Sequence, residues 1–351
     1  MSPELGLYAA ANLAFLGVAL TFYCLFAGAD FGAGILECLS PKSFRSAERA
    51  LVTHAIAPVW EANHVWIVLV VVILFNGFPA AYSRLSITFH IPITLMLVGI
   101  VLRGCAFTFR HYDAVRDDSQ RYYNAVFAWS SLLSPWFLGV IAGGVILGRS
   151  PLLGADFYAS YVAPWCNLFC ASLGLLVCAL FAFLAAVYLL GETADPALRP
   201  PLVRQVMATQ GAIIVGGLLV FLCAQLDGLP LARRFLSDPV SLAAMGLASA
   251  LVLPLIWLIR GQRVLVARGV AAAQAVLILT GWFKLQFPVL LAQAGPGDQP
   301  ALTYLQAAAP IETQKQLLYA LIVGCLLILP ALYVLFRIFK TQPKKSVLTA
   351  E

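Results

Sequence analysis

The sequence predicts an all-α polytopic membrane protein with about nine transmembrane helices in a single integral-membrane domain, residues 1–351. Three observations predict it. Mean hydropathy is +0.90, and 62% of the residues are hydrophobic against 11% charged, where an ordinary soluble domain carries about 25% charged residues. The apolar residues gather into runs of about 20, the helix length that crosses a hydrocarbon core of ~30 Å. Lys and Arg gather in alternate connections between those runs, as they do on the cytoplasmic side of membrane proteins.

In chain order the spans fall near residues 7–36, 52–77, 85–107, 125–148, 162–190, 208–227, 239–260, 264–286 and 317–339. The first follows Met1-Ser2-Pro3-Glu4-Leu5, which has no basic residue ahead of the apolar run and so does not read as a cleaved signal peptide. The second runs through Ile67 to Phe75 without a polar residue. The longest polar connection, Gln293 to Gln316, is too short for a domain of its own. One set of alternate connections carries Lys42, Arg45, Arg49, then Arg110, Arg116, Arg121, then Arg199, Arg204, then Arg260, Arg263, Arg268, and the C-terminal Arg337, Lys340, Lys344, Lys345. The other set holds only Arg84, Arg149, Arg233, Arg234, Lys284 and Lys315. This predicts an external N-terminus and a cytoplasmic C-terminus, which an odd number of spans requires. The net charge of +6 follows topology and is no sign of nucleic-acid binding.

The eight cysteines lie mostly in apolar runs, without a CxxC pair or a haem-attachment CxxCH, and read as small buried hydrophobes. The tryptophans mostly lie near span ends, where an interfacial belt accounts for them. Trp60, beside Glu61, is also a candidate for lining a site.

The ionisable residues inside spans carry the functional argument, because each costs at least ~2.5 kcal/mol to place there. Asp30 lies near the cytoplasmic end of span one. Glu61 lies about nine residues into span two, or ~13 Å at ~1.5 Å per residue. Arg103 lies near the cytoplasmic end of span three. Two acids and one arginine from three consecutive spans therefore share the cytoplasmic half, either as a proton-exchanging group or as a static ion pair between helices. His54, Glu61 and His64 share roughly an 80° arc of one helix face, at 100° per residue, with Asn63 nearly opposite and Pro58 between them. The glycines around Asp30, in Gly28-Ala29-Asp30-Phe31-Gly32-Ala33-Gly34, fit close helix packing. They follow no strand and form no GxGxxG. His90, ahead of Pro92 in span three, has no partner histidine at matched depth, so no haem is expected on this chain alone. The segment Arg110 to Tyr123 reads as a solvated charged loop.

These residues also stand in a recognisable order. Gly28–Gly34 ends span one, Ala57-Pro58-x-Trp60-Glu61-x-Asn63-x-x-Trp66 opens span two, Phe75-Asn76-Gly77-Phe78-Pro79-Ala80-Ala81-Tyr82 closes it, and Arg103 ends span three. The chain resembles subunit II of the cytochrome bd-type quinol oxidases, including their cyanide-insensitive branch, most specifically over its first 110 or so residues. The resemblance implies two four-helix bundles plus a peripheral helix. It implies a heterodimer with a haem-bearing subunit I that holds the b and d-type haems and the main quinol site, and it leaves room for a structural quinone and a small single-helix subunit. It implies quinol, dioxygen and protons as reactants, in a bacterial inner membrane. It also implies proton transfer by Glu61, where relatives often have Asp, and by Asp30, supported by Trp60, Asn63, His64 and Arg103. Two acids found in some relatives are replaced by Ala27 and Thr108, so a route that uses those acids must run differently here. The alternative from another class is a self-sufficient proton- or ion-coupled secondary transporter with Asp30, Glu61 and Arg103 as its ion site.

Overall fold

The computed structural model describes residues 3–112, 119–149, 156–193, 195–293 and 299–341. The helices in chain order are α1 (Pro3–Leu39), α2 (Lys42–Gly77), α3 (Pro79–Thr88), α4 (His90–Tyr112), α5 (Ser119–Leu147), α6 (Phe157–Tyr161), α7 (Leu168–Glu192), α8 (Arg199–Leu226), α9 (Leu231–Ser237), α10 (Pro239–Ala250), α11 (Val252–Arg260), α12 (Val264–Gln286), α13 (Tyr304–Ala307) and α14 (Ile311–Thr341). Among the described residues eight helices are long and apolar enough to cross a membrane, and nine if the bent pair α2–α3 is one span. The helices overlap the expected apolar runs, with differences at their ends that have local causes.

The second span is part of a longer helix. Its helix starts at Lys42, so only Ser40 and Pro41 separate it from α1, and Lys42, Arg45 and Arg49 are helical rather than in a loop. Span three begins at His90 instead of 85, because α3 intervenes and the chain bends by 116° between Ala62–Gly77 and Pro79–Thr88. Pro79 supplies the break. It sits at the first helical position with Phe78 outside the helical region before it (φ −135°, ψ 59°), since the α region is disfavoured for a residue preceding proline. Span five begins at Leu168, not 162, after a turn that contains Pro164; Asn167 caps it by accepting from Cys170 N at 2.9 Å. Span seven is two helices meeting at Leu251. Pro254 gives no N–H to the carbonyl four residues back, at Ala250. Between α12 and α14 the chain contains a feature the sequence did not announce: two short antiparallel strands, β1 (Val289–Leu291) and β2 (Leu302–Thr303), with Val289 opposite Thr303.

α1 is the central element. It packs along α2, α5, α7 and α14, and α7 in turn packs on α5 and α8. The glycines of α1 allow this. A Cβ at Gly28 would come 2.5 Å from Leu184 Cδ1, one at Gly32 would overlap the Phe181 carbonyl, and one at Gly34 would overlap Ser131. At Gly32 backbone meets backbone, and at Gly28 and Gly34 a side chain seats on the helix, the close packing by which membrane helices associate where lipid offers no hydrophobic drive. At the other end of α1, buried Asn12 donates to Gln314 Oε1 at 2.6 Å and to its carbonyl at 2.9 Å, while Gln314 Nε2 donates to Gly77 O at 2.6 Å. The starts of α1 and α14 thus lie together, so the two helices run the same way.

Candidate functional site

Where α1, α2, α4 and α5 meet, the structure brings Asp30, Asn63 and Arg103 into one buried cluster. Asp30 is fully buried and Arg103 is 1% exposed. Arg103 Nη2 lies 2.7 Å from Asp30 Oδ1. The hydrogen bond from that same nitrogen goes to the Asp30 carbonyl, also at 2.7 Å, so the contact with the carboxylate is chiefly ionic. Arg103 Nε donates to Ser131 Oγ at 3.0 Å, and that hydroxyl donates to Phe127 O at 2.6 Å. The rings of Phe31 and Phe127 flank the guanidinium at 4.7 and 4.8 Å, a cation–π setting that suits Arg better than Lys. Asn63, which the helical wheel put away from Glu61, is the residue of α2 that reaches the pair: its Nδ2 donates to Asp30 Oδ2 at 3.3 Å.

Some of the polar atoms here have no protein partner. Asn63 Oδ1, Arg103 Nη1 and Trp66 Nε1 are buried and unpaired. Buried polar groups of folded proteins are bonded, and where protein does not supply the partner ordered water does. The cluster thus combines a buried ion pair with buried polar atoms that this chain leaves unbonded.

The other expected residues distribute around it. Trp60 is half-buried and stands edge-on to His64, ring centroids 5.5 Å apart, and near Phe107 at 5.9 Å. His64 Nδ1 lies 2.8 Å from Trp60 O. For His54 and Glu61 the structure describes the helical backbone of α2, while their side chains lie outside the described residues. Glu61 follows Trp60 directly and precedes Asn63 by two positions. Asp113 to Asp118, with Arg116, also lie outside. His90 is exposed at the first residue of α4, against Tyr161 at 5.1 Å.

One part of the arrangement the sequence reading missed. Glu37, 1% exposed, pairs with Arg49 and with Arg110 Nη1, the latter at 2.9 Å. Arg110 Nη2 also donates to Thr53 Oγ1 at 3.1 Å, and its side chain is only 7% exposed. The solvated loop expected from Arg110 onward is therefore corrected at its first residue, which is the last buried charge of α4. Glu37 follows Asp30 by seven positions and Arg110 follows Arg103 by seven. Two turns of helix separate each pair, ~10.5 Å, so α1 and α4 are joined by two acid–arginine rungs. That shared spacing was the available signal.

The model of the family described as cytochrome bd terminal oxidase subunit II matches residues 9–339. The cytochrome bd ubiquinol oxidase subunit 2 of Bacillus subtilis (strain 168) is 31% identical over 136 residues, which is 37% of this chain and 38% of that protein. The cytochrome bd-I ubiquinol oxidase subunit 2 of Escherichia coli (strain K12) is 26% identical over 137 residues, 38% of this chain and 34% of that protein. The aligned stretches thus span little more than a third of these curated relatives. A chain in the solved structure of bd oxidase from Geobacillus thermodenitrificans superposes with a TM-score of 0.75 at 20% identity, covering 96% of this chain and 99% of that one. At that identity the likeness shows the fold.

Proposed function

The chain belongs to the cytochrome bd terminal oxidase subunit II family, and from that premise we propose that it is the stabilising, proton-conducting subunit of a quinol:oxygen oxidoreductase. In this reading it forms a heterodimer with a haem-bearing subunit I in a bacterial inner membrane, its N-terminus periplasmic and its C-terminus cytoplasmic. Quinol supplies the electrons, dioxygen is reduced to water, and the protons consumed come from the cytoplasm. The b and d-type haems are assigned to subunit I, where they supply the redox chemistry. A structural quinone and a small single-helix subunit remain compatible with this assembly. The contacts of α1 with α2 and α5, and of α7 with α8 and α12, support two four-helix bundles, with α14 peripheral. Family membership favours this over a self-sufficient transporter.

The observation that carries the proton role is the buried Asp30–Arg103–Asn63 cluster with its unbonded polar atoms. Asp30 Oδ2 accepts from Asn63, and Oδ1 is held by the charge of Arg103 without a hydrogen bond. We therefore assign the exchanging proton to Glu61, with Asp30 and Arg103 orienting Asn63 and the water it binds, and with Trp60 and His64 walling the route. A carboxyl hands on a proton only if it can titrate. Glu61→Gln keeps the shape and the hydrogen bonding but cannot titrate, so turnover should fall about tenfold or more, ~1.4 kcal/mol of barrier per factor of ten. Glu61→Asp should retain part of the rate, and Asp30→Asn should show a milder or assembly-linked defect. The measurement is oxygen consumption with quinol per haem-quantified, assembled complex. A wild-type rate in assembled Glu61→Gln would make Glu61 a structural acid.

A further inference from the structure

Outside the two rungs, a cavity of about 410 Å³ opens at the end of α1 and the starts of α2 and α5. Its lining includes Arg45, Arg49 and Arg121 together with Ala125, Ala128 and Trp129. The one acid in the lining, Glu37, is already neutralised by Arg49 and Arg110. Arg45 donates to a main-chain carbonyl, Ser40 O at 2.6 Å, and its buried Nε has no partner. Arg121 is exposed and makes no ion pair among the described residues. Among the described residues, the lining therefore holds more positive charge than is paired.

The lining is also ordered. Arg121, Ala125, Ala128 and Trp129 fall at spacings of four, three and one on α5, along one side of the helix over ~12 Å. Trp129 is an aromatic ring 67% exposed on this chain. Charge at the helix start grades into small apolar residues and then an aromatic, which is the order of a phospholipid from phosphate to acyl chain. Basic recesses between membrane helices on the cytoplasmic side take anionic headgroups by this chemistry.

We propose that this cavity binds one anionic phospholipid, its phosphate between Arg45 and Arg121 and the upper acyl chain along Ala125, Ala128 and Trp129. The proposal rests on the chain's place in a membrane and not on the oxidase reading, so the two stand or fall separately.

The test uses the assembled complex in mild detergent, with bound lipid counted by native mass spectrometry during titration with phosphatidylglycerol and, in parallel, phosphatidylcholine. Phosphatidylglycerol should occupy one tight site that phosphatidylcholine does not. Arg45→Gln with Arg121→Gln should weaken it about thirtyfold, the effect of two cations near a charged leaflet. Arg204→Gln with Arg260→Gln, the same charge change on exposed residues elsewhere, should leave it unchanged. If the first pair fails to assemble, Ala125→Trp, which fills the cavity and keeps the charges, should abolish the site. Inorganic phosphate that displaces the lipid's headgroup at micromolar concentration would instead make this a free-phosphate site and overturn the lipid assignment. Equal affinity for the two lipids, or equal retention in the two double variants, would overturn the proposal.

Discussion

Replacing Arg103 by Leu tests whether the buried pair holds α1 to α4. Opposite unit charges 2.7 Å apart attract by about 6 kcal/mol at an effective dielectric constant of ~20. Desolvation of two groups with 0–1% exposure offsets most of that in the intact protein. Removing one partner is different, because the surviving carboxylate stays buried without compensation, and such losses run to about 3–5 kcal/mol. Arg103→Leu also deletes the bond to Ser131 and the contacts with Phe31 and Phe127. Asp30→Asn with Arg103→Leu removes both charges together and leaves mainly lost neutral hydrogen bonds, about 1 kcal/mol each. The double variant should therefore be more stable than Arg103→Leu alone, with a coupling of ~2 kcal/mol or more. The assay is reversible unfolding of the purified complex in mixed micelles, followed by tryptophan fluorescence, for the wild type, both single variants and the double. If the two single effects simply add, the ion pair contributes nothing as a pair and the cluster's stability comes from packing.

Gly32→Val should prevent α1 from seating on α7, because its Cβ would overlap the Phe181 carbonyl, which cannot move away as a side-chain tip can; the check is the yield of assembled complex, and normal assembly would refute the packing role. His64→Ala and His90→Ala should each leave the reduced-haem spectrum of the complex intact, and loss of a haem band from an assembled variant would place a haem ligand on this chain. A reporter fused to the C-terminus should read cytoplasmic and one at the N-terminus periplasmic, given the arginine and lysine bias; both on one side would refute the odd span count.

The spans were legible because an apolar run of bilayer length has few other uses, and α12 fell on the expected residues 264–286. What composition could not show was where a span is interrupted. Pro79 and Pro254 both break helices, yet Pro135 and Pro330 sit inside α5 and α14, and the difference lies in packing that no local pattern records. In the site, Asp30 and Arg103 were legible because a charge deep in an apolar run needs a partner. Glu37 and Arg110 were not, because each stands at the end of its run, where a charge is ordinarily solvated. Their burial arises from helices that continue past the expected span ends, as α2 does by starting at Lys42.

The bond between Asn12 and Gln314 has a consequence for how the protein is made. The two residues are 302 positions apart. At the ~5–20 residues per second of synthesis, Asn12 enters the bilayer roughly 15–60 s before Gln314 exists. Throughout that interval the amide of the first helix faces hydrocarbon, the insertion machinery or a chaperone, and Gly77 O lacks the donor it finally receives. Emergence of the last helix supplies both partners at once. A chain truncated before it would carry unpaired amide groups at the start of the first helix.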